Sequence, residues 1–232
     1  MEKFATTCRQ RFKEFTQKCK ESVRHPTPQN IHQLRILNRR IRSIFWIIKQ
    51  ETNIDLPSGV QKKAALFGKE LGALREIDVL IKDAAYYNLS DSKLPGKRSR
   101  KARKLQDSIE REFLPVLNRD LRKLINGAEP LPSINYKELR STLKKALKKW
   151  PKRLPKKKEK QHQIRIDAKK TIYRMELLGA KSVQLRLLQK SLGRVHDLEV
   201  LENHFGKKKV ISKDIEANLK TAYRTYQKIF KT

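Results

Sequence analysis

Apolar positions recur with a helical period along most of the chain. In the stretch 29–50 they follow spacings of three and four residues, and the members of this apolar stripe are Leu34, Leu37, Ile41, Ile44 and Ile48. At about 100° per residue these side chains share one face of an amphipathic helix, which predicts that this face is buried. The long segments are rich in good helix formers and Gly is scarce, with 8 residues. The pattern therefore predicts an all-α protein.

Clusters of Pro and Gly separate the helical segments, among them "LPG" at 94–96. Such clusters end helices and open new ones. The eight helices predicted between them span 3–24, 29–50, 58–88, 98–126, 136–150, 159–178, 181–204 and 212–231. The densest cluster, at 126–133, divides these helices into four and four. We therefore expect one domain of 1–232 built of two packed four-helix halves, about 1–128 and 133–232.

A second stripe on the helix predicted at 29–50 is basic and lies opposite the apolar one. It consists of His32, Arg35, Arg39 and Arg42, and Trp46 continues the same line. Two like charges 4 Å apart repel by on the order of 4 kcal/mol at an effective dielectric constant of about 20. The basic stripe therefore needs counterions.

Two blocks of sequence recur in the same order in both halves. "IHQLRI" at 31–36 returns as "QHQIRI" at 161–166, and "LGALREIDVL" at 71–80 aligns without a gap with "LGRVHDLEVL" at 192–201. Ordered recurrence of two blocks indicates a duplicated helical unit. It also places His162, Arg165, Lys169 and Tyr173 on a second helix that matches the first.

The second block carries a glycine in both copies, Gly72 and Gly193. Inside a helix each costs about 1 kcal/mol relative to Ala, so something must compensate. We expect another helix backbone to approach closely at both glycines.

The composition is strongly cationic, with 56 Lys and Arg against 24 Asp and Glu and a formal charge of +32. Such an excess repels itself in a folded protein, so a polyanionic partner is expected. The densest region, 137–174, holds sixteen Lys or Arg and three acids, and "GKRSRKARK" at 96–104 is a second basic run. A lysine run is usually a solvated face or tail, but the first of these leads into the His162 helix and could extend an anion track.

Acidic side chains within the repeated blocks and near them offer a competing explanation, in which His32 and Arg35 belong to structural ion-pair networks. The acids concerned are Glu76, Asp78, Glu176, Asp197 and Glu199. The overall surplus of positive charge favours an external anion over this alternative.

Phosphate suits the basic stripe because Arg offers a planar fork for bidentate contacts and Lys offers a mobile point charge. Inorganic polyphosphate and nucleic acid both qualify. Aromatic residues make up only 7% of the chain, and no zinc-finger, RNA-recognition or basic-zipper signature is present. These features favour a phosphate chain without bases, with nucleic acid as the alternative.

Signatures of catalysis are scarce. The sequence has no phosphate-binding "GxxxxGK[ST]" loop, no "GxGxxG", no "HExxH" and no CxxC pair. His196 and His204 in "HDLEVLENH" are more than two helical turns apart, which is a weak metal signal. We therefore expect a non-enzymatic protein without cofactor or metal, and a polyphosphate-processing enzyme is the third hypothesis.

The cysteines and the apolar runs suggest a compartment. Cys8 and Cys19 would lie roughly 16 Å apart on one helix, too far for a disulfide, and the N-terminal sequence lacks the apolar core of a secretory signal. The longest apolar run, 44–48, is far too short to span a bilayer. A cytoplasmic protein is expected, and contact of its basic surface with anionic lipid is a weak alternative.

Four segments together resemble the CHAD family, the conserved-histidine α-helical domain. They are "HQLRILNRRIR" at 32–42, "LGALREIDVL" at 71–80, "HQIRIDAKKTIYRME" at 162–176 and "LQKSLGRVHDLEVL" at 188–201. The resemblance covers nearly the whole chain and implies two four-helix bundles related by a pseudo-twofold axis, with a basic central groove or pore that binds inorganic polyphosphate. It also suggests association with polyphosphate granules.

The basic stripe and this resemblance together predict which residues bind phosphate. Those expected to hold phosphate oxygens are Arg35, Arg39, Arg40, Arg42, Arg165, Lys169, Lys170 and Arg174. His32 and His162 are expected to donate hydrogen bonds. A less demanding extension of the track consists of Lys144, Lys145, Lys148, Lys149, Lys152, Arg153, Lys156, Lys157 and Lys158. The chain departs from the family pattern at Ile172, where the family usually has Arg. It also departs at His196, which replaces the Arg found in the first copy as Arg75.

Overall fold

The chain is helical throughout the part that the structure describes. The computed structural model describes residues 2–51, 58–116, 119 and 136–230. Its helices are α1 (Glu2–Arg24), α2 (Pro28–Glu51), α3 (Ser58–Tyr86), α4 (Lys93–Asp107), α5 (Tyr136–Lys148), α6 (Lys158–Leu177), α7 (Val183–Phe205) and α8 (Lys209–Ile229). No strand occurs in these residues, which confirms the all-α prediction. None of the described helices is long and apolar enough to cross a membrane.

The predicted helix limits agree with the structure to within a few residues except at α4. The sequence predicts a break at 94–96, but α4 begins at Lys93, so "LPG" forms part of its first turns. Pro is tolerated there because the first N–H groups of a helix have no intrahelical partner. A π-helical turn, Ser108–Phe113, continues α4. The predicted end of this helix at 126 and the cluster at 126–133 lie outside the described residues.

The helices belong to two compact units. The first unit comprises Met1–Ile81 and Asp91–Asn135, and the second comprises Lys82–Ser90 and Tyr136–Thr232. The last residues of α3 therefore belong to the second unit. The predicted boundary between 128 and 133 lies outside the described residues, and the pseudo-twofold pair of four-helix bundles with its central groove stays a prediction.

The core of the first unit is apolar and aromatic. All five members of the predicted apolar stripe of α2 are at most 9% exposed, which confirms that this face is buried. Phe67 stacks on Phe113 with ring centroids 4.1 Å apart, and Phe15 meets Phe113 edge-on at 5.7 Å. The π-helical turn thus delivers Phe113 to the centre of the unit.

The core of the second unit is built on α7, which buries apolar residues along its whole length. They are Leu185, Leu188, Leu192, Val195, Leu198 and Leu201. The Ser182 hydroxyl caps this helix by accepting a hydrogen bond from the Leu185 N–H at 3.2 Å. Gly206 follows its last turn with a φ of 80°, a conformation that L-residues rarely adopt. Leu154 and Tyr226 complete a cluster around Leu188 and Leu192.

Both cysteines lie inside α1 as free thiols and are fully buried, so the prediction that they form no disulfide is confirmed. Burial raises the pKa of the Cys8 thiol to about 12 and raises that of Cys19 as well. At neutral pH both therefore stay protonated and behave as small apolar side chains.

Candidate functional site

The basic stripe of α2 lies on the solvent side of the helix, away from the core. His32, Arg35 and Arg39 of the stripe are half-buried and Arg42 is exposed, and the neighbouring candidate Arg40 is half-buried as well. The core stripe and the basic stripe are thus separate surfaces of one helix, as predicted. The half-burial brings the charged groups close to the neighbouring helix α3.

Two glycines of α3 provide the surface on which side chains of α2 rest. A Cβ added at Gly72 would lie 3.7 Å from Nη2 of Arg35. A Cβ added at Gly68 would lie 3.4 Å from Nη1 of Arg42 and only 2.8 Å from Nδ2 of Asn38. We call Gly68 and Gly72 the glycine lane. It leaves room for two guanidinium groups at the surface of α3.

The role expected for the repeated glycines was close approach of a helix backbone, and at both positions this is wrong. The atoms nearest to an added Cβ at Gly72 belong to the Arg35 side chain, and at Gly193 the nearest is Nε2 of Gln189 on the same helix, 3.5 Å away. The spacing of glycines in a sequence cannot distinguish a gap filled by backbone from one filled by a guanidinium group.

Asn38 fixes the two helices at the glycine lane. Its side chain is 1% exposed, and its Nδ2 donates a hydrogen bond of 3.1 Å to the carbonyl oxygen of Ala64 on α3. The amide therefore holds α2 in register with α3, next to Gly68. Nothing in the repeat pointed to Asn38, because its polar side chain occupies a position that α2 buries.

The matching helix of the second unit, α6, forms a small cleft with α7. Arg165 is 9% exposed, and its Nη2 lies 3.3 Å from Nδ1 of His162. Because a guanidinium group can only donate, this contact fits a neutral His162 with its proton on Nε2. The His162 and His196 rings meet at 5.6 Å between centroids, and Lys158 and Glu199 complete the polar lining.

The remaining candidates on α6 differ in their surroundings. Lys169 and Arg174 are half-buried, whereas Lys170 is exposed and lies 3.4 Å from Oδ1 of Asp167. Burial lowers the pKa of Arg174, and Asp167 opposes that shift. Ile172, which departs from the family pattern, is buried and so belongs to the core of the unit.

The two candidate histidines, His32 and His162, both have lowered pKa values. Burial is the main cause for His32, followed by the positive charges of Arg75, Arg39 and Arg35. Burial is also the main cause for His162, followed by Arg165 and Lys169. Each imidazole is therefore neutral at pH 7 and able to donate one hydrogen bond.

Three of the five acids considered as counterions form ion pairs, and only that of Glu199 involves a predicted phosphate-binding cation, Lys158 of the less demanding extension. Asp78 pairs with Arg98 at 2.6 Å. Glu199 pairs with Lys158 at 2.7 Å. Glu176 pairs with Arg186, also at 2.7 Å.

Asp197 is the acid that lies among the predicted phosphate-binding cations. Its pKa is raised, mainly by burial and then by Asp83, while Arg165, Lys169 and Arg194 act in the opposite direction. Asp83 itself accepts a hydrogen bond of 2.6 Å from Nη1 of Arg194. Arg194 lies within the second repeat block and aligns with Ala73 of the first. The repeat therefore contained no indication of this ion pair.

The lysine-rich candidates lie on the surface. All nine are exposed, namely Lys144, Lys145, Lys148, Lys149, Lys152, Arg153, Lys156, Lys157 and Lys158. The first three are on α5, Lys158 is the first residue of α6, and the other five belong to a non-helical stretch, 149–157, that connects the two helices. We call this stretch the basic loop.

The described residues contain no group of three or more His, Cys, Asp or Glu side chains that could hold a metal ion. The ring of His204 packs against Phe205 at 4.7 Å between centroids, and that of His196 packs against His162. The two histidines of "HDLEVLENH" thus have different neighbours.

Comparison with known proteins identifies relatives of this arrangement. A family model described as the CHAD domain matches residues 7–206. The crystal structure of the CHAD domain from the plant Ricinus communis superimposes with a TM-score of 0.65 at 20% sequence identity, covering 94% of this chain and 85% of that one. PptA from Streptomyces chartreusis gives a TM-score of 0.70 at 15% identity, covering 97% and 98%. No curated protein matches the chain.

Proposed function

The chain belongs to the CHAD domain family, and on this basis we propose that it binds inorganic polyphosphate without catalysing a reaction. We assign the phosphate contacts to two sets of cations, the basic stripe of α2 in the first unit and the matching cations of α6 in the second. Arginines hold phosphate oxygens through paired N–H groups, and His32 and His162 each donate one further hydrogen bond.

The observation that carries the proposal is the crowding of like charges on α2. Burial is the largest cause of the lowered pKa of both His32 and Arg42, and like charges act in the same direction: Arg75, Arg39 and Arg35 on His32, and Arg39 on Arg42. Each charge thus makes its neighbour harder to protonate, and this mutual repulsion favours a negatively charged ligand along the stripe. A bound polyanion reduces this repulsion because it supplies negative charge along the stripe.

A phosphate chain without bases suits the aromatic residues better than a nucleic acid does. Base stacking needs accessible aromatic faces. Trp150 instead stacks against Tyr226 at 6.1 Å between centroids, and Phe15, Phe67 and Phe113 of the first unit pack on each other, while Tyr86 is exposed. Nucleic acid remains the alternative partner that an experiment must distinguish.

The proposal is tested by titrating the protein with a long polyphosphate and with a mixed-sequence single-stranded DNA at several salt concentrations. If about eight charges are neutralised, the logarithm of the association constant falls with log salt at a slope of roughly −5 to −6, taking about 0.7 per contact as for single strands. We expect the polyphosphate to bind more tightly at every salt concentration. Equal or tighter binding of the DNA would contradict the proposal.

The non-enzymatic part is tested separately. Protein, a divalent metal ion and polyphosphate are incubated together, and released phosphate is measured over time. We expect none above the background without protein. Turnover that disappears in His32→Ala would instead support the processing enzyme. In cells, a fluorescent fusion is expected in the cytoplasm and at polyphosphate granules.

A further inference from the structure

The basic loop, 149–157, concentrates positive charge on a stretch without acids. Its sequence is "KWPKRLPKK", and its five cations, Lys149, Lys152, Arg153, Lys156 and Lys157, are all exposed. None of these five side chains forms an ion pair with an acid among the residues that the structure describes. They differ in this from Lys158, directly after the loop, which pairs with Glu199.

Apolar contacts fix this loop to the core of the second unit. Leu154 is 4% exposed and packs in the cluster that contains Leu188 and Tyr226. Trp150 lies nearly parallel to the ring of Tyr226, with an interplanar angle of 7°. A stretch that would otherwise be a solvated lysine run is therefore held by two buried or half-buried anchors.

Hydrogen bonds hold the loop backbone as well. The hydroxyl of Tyr226 donates to the carbonyl oxygen of Pro151 at 2.7 Å. Nε2 of Gln161 donates to the carbonyl oxygen of Pro155 at 2.9 Å. The two prolines also restrict φ, which reduces the number of conformations the free loop can adopt.

Gln161 distinguishes the second copy of the repeat from the first. It aligns with Ile31, a fully buried core residue of the first unit. Gln161 is itself only 8% exposed, so the second unit has a polar side chain at a buried position. Its Nε2 donates to the carbonyl oxygen of Pro155 in the loop and, at 3.2 Å, to the hydroxyl of Tyr223 on α8. Holding the loop is thus the structural use of this substitution.

The loop leads directly into α6, where Lys158, His162 and Arg165 line the cleft. We propose that the basic loop is a preordered second contact surface for the same polyphosphate chain, which lets the protein select long chains over short ones. This inference rests on the proposed function. A short chain occupies the helical cations alone, whereas a long chain reaches the loop without a second association step, so the loop acts at a high effective concentration. Because the loop is already ordered, little conformational entropy is lost when it binds.

The test compares the affinities of tripolyphosphate and of a long-chain polyphosphate for three proteins. The first is the wild type. The second carries Lys149→Gln, Lys152→Gln, Arg153→Gln and Lys156→Gln in the basic loop. The third is a control with the same loss of four charges at exposed lysines of the second unit, namely Lys181→Gln, Lys190→Gln, Lys207→Gln and Lys213→Gln. A longer chain offers more positions at which a protein can bind, which raises its apparent affinity. This effect cancels when each variant is compared with the wild type for the same ligand.

For the loop variant we expect the long-chain affinity to fall by on the order of a hundredfold, with a salt slope smaller by about 3, from four contacts at about 0.7 each. Its tripolyphosphate affinity is expected to fall only by roughly twofold, as diffuse screened attraction does. The control should show the roughly twofold loss for both ligands. Equal losses for both ligands in the loop variant, or equal losses in loop variant and control, would overturn the inference.

A second variant tests the ordering of the loop with every charge kept. Gln161→Ile restores the residue of the first copy and removes the bond to Pro155, and circular dichroism checks that the protein is folded. We expect a smaller, selective loss of long-chain affinity. An unchanged ratio of long-chain to tripolyphosphate affinity would show that preordering plays no part. If the four loop substitutions weakened binding of single-stranded DNA more than binding of long polyphosphate, the inference would also be overturned. Failure of the wild type to bind either phosphate would instead refute the proposed function itself.

Discussion

The tight contact at Gly68 predicts that Gly→Ala has opposite effects on stability at Gly68 and at Gly96, a helical glycine outside the glycine lane. In Gly68→Ala the new Cβ would lie 2.8 Å from Nδ2 of Asn38, closer than a carbon atom can approach. The amide would have to move, and it would then lose its hydrogen bond to Ala64 in a buried site. Gly96→Ala is the matched control, because the space around Gly96 is open within 4 Å and it too lies in a helix.

The two energies can be compared directly. Replacing Gly by Ala in a helix stabilises it by up to about 1 kcal/mol. Disrupting a buried hydrogen bond costs about 1–3 kcal/mol. We therefore expect Gly68→Ala to lower the free energy of unfolding by about 1 kcal/mol, whereas Gly96→Ala leaves it unchanged or raises it. Urea unfolding followed by circular dichroism measures both. If Gly68→Ala were as stable as Gly96→Ala, the tight contact at Asn38 would be refuted.

Three further predictions concern the stripe, the histidines and the basic loop. Arg35→Gln should weaken polyphosphate binding about tenfold or more, as expected for a lost charge-assisted hydrogen bond, whereas Lys13→Gln, at an exposed site of α1, should have little effect in the same titration. Because His32 and His162 have pKa values below the usual 6.5 in the folded chain, the unfolded chain binds more protons, so unfolding free energy should fall as pH drops below about 6.5. The double variant with Gln at both positions should flatten that dependence in urea titrations. Tyr226→Phe removes the bond to Pro151 and should lower the urea-unfolding free energy by about 1 kcal/mol.

Helical periodicity carries most of what the sequence predicts correctly. The apolar stripe of α2 is buried because an amphipathic helix has only one way to turn its apolar face inward. The start of α4 was wrong because Pro either ends a helix or occupies its first turn, and the local sequence around Pro95 fits both. Repetition of sequence then located the second basic helix.

The placement of individual side chains was harder to predict from the sequence. It indicated that Gly72 matters, but the identity of the neighbour depends on how far α2 and α3 are rotated about their axes. Gln161 carried a usable signal, since a polar residue aligned with the core position Ile31 indicates a specific buried partner. Its partner, a carbonyl oxygen in a loop, could be found only from the fold.

The two buried thiols of α1 have a practical consequence. Cys8 and Cys19 are both 0% exposed. A cysteine introduced at an exposed position such as Lys152 would therefore react with a maleimide dye far faster than either native residue, with no need to remove those residues first. A fluorophore attached in this way would give a direct optical record of how the loop environment changes while a phosphate chain arrives and leaves.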